Sequence, residues 1–125
     1  MRMAHRSRLG ALVIDCKTED VTEAARFWGD VLRGEVEVDD EGKYAEISDQ
    51  GQIKVLVQAV GHDPRVHLDF ESDDKEAEVA RLEAIGAKVV ERIKGWIVME
   101  APTGHRFCIV DPQGPAFDSN AKEVG

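Results

Sequence analysis

Five side chains in this sequence carry the chemistry of a reaction or a polar binding site: Asp15, His67, Asp69, Glu100 and Cys108. Trp96 supplies a large apolar wall beside them. An imidazole changes its charge near neutral pH, so His67 suits the role of a general base, tuned by Asp15 or Asp69. A thiol beside an imidazole can become a nucleophile, which is the sharp reading of Cys108. Asp15 can hold a cationic group of a ligand, and Trp96 can stack on one. Each residue also has a plainer reading. His67 is then a structural histidine bonded to a carboxylate, and Cys108 a small buried residue. Asp15 is then the partner of Arg65 or Arg106. Trp28 reads as core packing, His105 as a turn residue, and His5 and His62 as tail and loop residues.

Elements that nearly repeat must position these groups. Thr18-Glu19-Asp20 leads a helix-like run to Leu32-Arg33-Gly34, and Ser72-Asp73-Asp74 leads a similar run to Ile85-Gly86-Ala87. Asp20 and Asp74 stand 54 positions apart. A repeated supersecondary unit implies two copies that bury their apolar faces together, with a cleft where equivalent strands face one another. The first copy reads as a strand over 9–16, a helix over 21–32, and strands over 35–39, 44–48 and 53–60. Asp20 is placed to cap its helix, with Glu23 as capping-box partner, and Gly34 to end it in the left-handed conformation. The apolar stripe of that helix runs through Val21, Ala24, Ala25, Trp28, Val31 and Leu32. The second copy reads as a strand over 65–70, a helix over 75–85 and strands over 88–93, 96–100 and 105–110. Val79, Leu82 and Ile85 or Gly86 face its core. The tail after Pro112 is polar and reads as fraying or as packing on a partner.

Alternation along a strand assigns the faces. Leu12, Ile14 and Cys16 pack toward the helix, which turns Val13 and Asp15 to the opposite, concave face. Arg65, His67 and Asp69 share a face, as do Arg106, Cys108 and Val110, and as do Trp96, Val98 and Glu100. For the strand over 53–60, alternation alone does not choose between Val55 and Val57 on one side and Leu56 and Gln58 on the other. The concave lining therefore gathers Asp15, His67, Asp69, Glu100, Trp96 and Cys108.

At 125 residues, 42% of them hydrophobic and 33% charged, the chain fits one domain, with repeats over about 9–60 and 65–111. The net charge of −9 argues against nucleic acid and against anionic membrane surfaces. Two cysteines make no disulfide framework, and a reducing cytoplasmic setting follows. The basic stretch Met1 to Arg8 and the short apolar run to Ile14 make neither a signal peptide nor a lipoprotein site, since Asp15 interrupts them.

The ordered set of motifs resembles the vicinal oxygen chelate superfamily, and within it the glyoxalase-like and bleomycin-resistance-like group. The pieces are Val13-Ile14-Asp15-Cys16 before Asp20, Ala25-Arg26-Phe27-Trp28 with Val31-Leu32, and Arg65-Val66-His67-Leu68-Asp69. Ala80-Arg81-Leu82 with Gly86-Ala87 follows, then Trp96-Ile97-Val98-Met99 and Pro102-Thr103-Gly104-His105-Arg106-Phe107-Cys108. The resemblance implies an α+β fold of two βαβββ modules in a cupped, mostly antiparallel mixed sheet, a homodimer, and an active site in the cup. It also implies metal-ligand positions on up to four strands. One is the residue seven before the helix-leading Asp, which is Val13 in the first copy and His67 in the second. Another is four after the turn glycine, which is Cys108, and the last falls near Val55 or Leu56. One family ligand survives, so no metal and no cofactor is expected.

The resulting expectation is a metal-free, cytoplasmic, homodimeric protein that binds a small molecule, with His67 as base of a lyase or isomerase. Two alternatives stand beside it. One is a bleomycin-resistance-like module that sequesters a cationic drug without chemistry. The other is a metalloenzyme with a shifted ligand set of Asp15, His67, Asp69 and Cys108.

Overall fold

The computed structural model describes residues 4–124; Met1 to Met3, the start of the basic stretch, and Gly125 lie outside the described residues. The elements are β1 (His5–Lys17), α1 (Thr22–Leu32), β2 (Val36–Val38), β3 (Tyr44–Ile47), β4 (Lys54–Val60), β5 (Arg65–Ser72), α2 (Lys75–Ala84), β6 (Lys88–Ile93), β7 (Trp96–Glu100), β8 (Arg106–Val110), α3 (Ala116–Asn120) and β9 (Lys122–Val124). The expected βαβββ order appears twice. It is followed by α3 and β9, where the sequence suggested a fraying tail. The chain forms two compact units, Ala11–His67 and the described residues up to Gly10 together with those from Leu68 onward.

In the first unit the strand order is β2-β3-β4-β1, with β1 parallel to β4 and the other pairs antiparallel. Val21, Ala25, Ala45, Ile47 and Val57 form the buried core, with Cys16, Trp28, Leu32, Val55 and Ala59 packed on it. That places Val55 and Val57 under α1 and turns Leu56 and Gln58, with Val13 and Asp15, to the helix-free face. Val31 is 53% exposed, outside the expected stripe. It sits about a quarter turn from the line through Val21, Ala25, Trp28 and Leu32.

Both ends of α1 differ from the sequence expectation. Asp20 accepts a hydrogen bond from the Thr22 amide (2.8 Å), while Glu23 pairs with Arg26 instead of closing a capping box. The left-handed residue at the C-terminus is Arg33 (φ 59°), not Gly34. Gly34 is required for a different reason, because a Cβ there would collide with the carbonyl oxygen of Ser48.

In the second unit β5-β8-β7-β6 is the strand order, with β5 parallel to β8, and β9 pairs antiparallel with the start of β1. Val79, Ile97, Met99 and Ile109 form its core, with Phe70, Leu82, Ala87 and Phe107 packed on it. Ile85 is 68% exposed, so that helical turn faces solvent and Ala87 takes its expected place. Asp74 caps α2 by accepting from the Ala77 amide (3.0 Å). Phe117 of α3 is buried, with the Arg6 guanidinium 5.0 Å above its ring. His5 is no tail residue: it is buried in β1, with Nε2 2.7 Å from Glu78 Oε1. Arg81 donates to both oxygens of Glu78. Burial, the largest influence, pushes the Glu78 carboxyl up, but its bonds to Arg81 and His5 outweigh that and hold it below the usual range. No helix among the described residues is long and apolar enough to cross a membrane.

Candidate functional site

The helix-free face of the first unit carries a buried carboxylate surrounded by groups able to bear positive charge. Asp15 lies on β1 between Val13 and Lys17 of the same face, opposite Gln58 of β4. Its side chain is 2% exposed. Oδ2 stands 2.9 Å from Nδ1 of His67. The same oxygen lies 3.6 Å from Arg65 Nε and 3.7 Å from His62 Nε2. The latter two distances are ion-pair contacts, too long for hydrogen bonds. Oδ1 is buried and has no hydrogen-bond partner among the described residues.

Alternation along β1 and β5 produces this cluster, as the sequence suggested for Asp15 and His67. Arg65 was weighed there only as a structural partner of Asp15. His62 was passed over as a loop residue, and it is one: its Nδ1 contacts the Asp63 carbonyl at 2.8 Å, which swings Nε2 toward Asp15. Gln58 Nε2 donates to the Tyr44 hydroxyl (3.1 Å) across β3 and β4, extending the polar face. The signal for these groups was the parity of the strand over 53–60, which only the pairing with β1 resolved.

An Asp that accepts from Nδ1–H fixes the histidine tautomer and leaves the basic lone pair on Nε2. The arrangement can therefore take a proton from a ligand and return it. Two of the positions at which the family resemblance implies a metal ligand carry none. Val13, where a histidine ligand is expected, is buried and pairs in register with Leu56, the other apolar occupant of a ligand position. Neither side chain has a donor atom, and divalent ions of this class need several nitrogen or carboxylate ligands.

The remaining expected residues lie in the second unit. Asp69 of β5 pairs in register with Cys108 of β8, with a carboxylate oxygen and Sγ within 4.8 Å. Cys108 is half-buried and faces Val98 on its other side. Trp96 opens β7 opposite Val110 and is half-buried. Glu100 contacts Arg106 (3.1 Å) and Lys88 (3.4 Å), and hydrogen bonds from Lys88 and then Arg106 hold its carboxyl below the usual range. Arg106, the other partner considered for Asp15, is thus engaged with Glu100. Sequence reasoning did not find Arg8 and Glu71, a buried pair with Nε 3.5 Å from Oε1 on the helix-free face of this unit.

The chain belongs to the glyoxalase-like domain family, whose sequence profile matches residues 11–110. No curated protein matches it. Among solved structures it is similar to an NAD-dependent benzaldehyde dehydrogenase from Legionella pneumophila, at 12% identity and TM-score 0.60, covering 82% of this chain and 99% of that one. A glyoxalase/bleomycin resistance protein/dioxygenase superfamily member from Vibrio splendidus is 17% identical with TM-score 0.54, over 85% and 99% of the two chains. An Mn(II)-bound glyoxalase from Novosphingobium aromaticivorans is 19% identical with TM-score 0.55, over 87% of this chain and 40% of that one. At these identities the likeness is one of fold.

Proposed function

We propose that this glyoxalase-like protein binds a small molecule against the helix-free face of its first unit and moves a proton there without a metal ion, as an isomerase or lyase does. The observation that supports it is the 2.9 Å contact between Asp15 Oδ2 and His67 Nδ1, on an aspartate that is 2% exposed. Asp15 is the positioning residue and His67 the base. Nε2 takes the proton from a carbon next to a carbonyl; the C–H electron pair becomes the C=C bond of an enolate, and the carbonyl π pair moves to oxygen. In a 2-hydroxyaldehyde the hydroxyl proton passes to the enolate oxygen, the oxygen left behind forms the new carbonyl, and the former carbonyl carbon takes back the proton, which gives the isomeric hydroxyketone; loss of a β-substituent with its bonding pair gives the lyase outcome. General-base catalysis of this kind contributes about 10²–10⁴-fold. We place the reaction in the cytoplasm and in a homodimer, a reading supported by the cysteine content and the family resemblance.

Proton NMR in D2O tests it. Wild-type protein is mixed with a panel of 2-oxo acids and hydroxyaldehydes, and loss of the C–H signal is followed. His67→Asn abolishes the exchange if the proposal holds; exchange that survives in His67→Asn overturns it. Stoichiometric Zn, Ni, Fe or Mn in the purified protein, lost in His67→Asn, overturns the metal-free part. Binding of a cationic glycopeptide antibiotic with no exchange on any carbon acid replaces the proposal with drug sequestration.

A further inference from the structure

We infer that the ligand of the first unit is a small organic acid, and that Arg65 is the residue that fixes its carboxylate. This deepens the proposal above and rests on its placement of the ligand beside His67. Three side chains converge on Oδ2 of Asp15, yet only His67 is within hydrogen-bond distance. One buried carboxylate is hydrogen-bonded by one histidine, so the guanidinium of Arg65 is not consumed in satisfying it. At 3.6 Å Asp15 holds the guanidinium in place by charge. Among the described residues no hydrogen bond engages Arg65, and its side chain is 42% exposed. A planar fork of five donors, anchored at its base and open toward solvent, matches a carboxylate in bidentate geometry.

The surroundings carry the same sign. His62 Nε2 stands 3.7 Å from the same Asp15 oxygen. Lys17, two residues beyond Asp15 on the same face of β1, contacts Asp63 at 3.5 Å with an exposed ammonium. Asp63 contacts Lys17, and Glu46 of β3, which pairs with Leu56 of β4, and Glu37 of β2, which pairs with Glu46, are further acidic groups at this face. Arg65, His62 and Lys17 thus set three cation-bearing groups around the proposed base. A cationic ligand would have Arg65, Lys17 and two imidazoles as neighbours, with only the buried Oδ1 of Asp15 left on that carboxylate to pair with.

The spacing restricts the ligand further. Arg65 Nε and His67 Nδ1 approach one oxygen, at 3.6 and 2.9 Å, so they are no farther apart than those two distances together. A carboxylate on the guanidinium is thereby held next to the imidazole. The class that fits is a short 2-oxo acid, whose acidic C–H lies on the far side of the ketone carbon, two bonds from the carboxylate carbon that Arg65 holds.

Thermal shift and calorimetric titration with pyruvate and malonate, against the neutral pyruvamide and malonamide and the cation choline, read this directly. A ligand that binds the native state raises Tm with its concentration. The expected result is a shift with the acids alone, lost in Arg65→Gln with affinity weaker by about tenfold or more and partly restored in Arg65→Lys. Arg65 is exposed at the start of β5, and each variant's Tm without ligand serves as its own baseline. Equal binding of acids and amides, preference for choline, acid binding unchanged in Arg65→Gln, or no acid binding at tens of millimolar each overturns the inference. Acid binding that depends on Arg65 while His67→Asn still exchanges the C3 protons of pyruvate supports the inference and overturns the role of His67.

Discussion

Each unit buries a carboxylate against a histidine, and the two pairs differ in how the carboxylate oxygens are used. In the second unit Glu78 is fully buried, and both its oxygens are taken, one by His5 and Arg81 and the other by Arg81. Nothing is left for a ligand to satisfy, which is how a buried charge contributes to structure. In the first unit Asp15 is equally buried but uses one oxygen for His67, leaves the other without a partner, and keeps Arg65 and His62 beyond bonding distance. On the function proposed above, saturation of the carboxylate, more than burial or residue type, is what separates the two pairs.

The largest effect expected from breaking the comparison is on turnover. His67→Asn should cut C–H exchange by about 10²–10⁴-fold while Tm moves little, measured by NMR and calorimetry on the same preparation. Its counterpart Glu78→Gln should do the reverse. It leaves Arg81 and His5 facing a neutral amide and costs about 2–4 kcal/mol in urea unfolding, with exchange per folded molecule unchanged. If Glu78→Gln abolishes exchange in folded protein, the two pairs are not functionally distinct.

A pH series sharpens the same contrast. The Glu78 carboxyl is held below its ordinary 4.5, so the stability it provides is complete above that value and is lost as pH falls through the lower folded-state value. The stability gap between wild-type and Glu78→Gln should therefore be largest near neutrality and close on acidification below about pH 4. A gap that widens in acid would mean the carboxyl is raised instead.

Two smaller effects bracket the series. Arg8 and Glu71 make a third buried pair, loosely formed at 3.5 Å, with Arg8 Nε lacking a hydrogen bond. A Cβ on Gly10 would lie 2.6 Å from Glu71 Cγ, so Gly10→Ala should displace Glu71 and cost about 1–2 kcal/mol. At the exposed extreme, Arg26→Ala removes the pair with Glu23 on α1 and should change stability by less than about 0.5 kcal/mol.

Much of this was legible in the residues because period-two alternation is strict. The strands over 88–93 and 96–100 match their expected bounds, and Asp15 and His67 meet as their parity required. What escaped were features decided by distant partners. His5 and Arg8 look like a basic tail until Glu78 of α2 and Glu71 of β5 supply their partners. The segment after Pro112 looks polar because one buried residue, Phe117, anchors it. Val31 and Ile85 are apolar yet exposed, since composition does not tell a core stripe from its margin. The choice of Leu56 and Gln58 for the helix-free face needed the register of β4 on β1, a parallel pairing that no local pattern encodes.

Strands β1 and β5 each contribute to both units, since the division falls after Gly10 in one and after His67 in the other. The sequence duplication and the folded bodies therefore do not share a boundary. Scission of the loop at Gly61 would leave Asp15 on one fragment and its partners His62, Arg65 and His67 on the other.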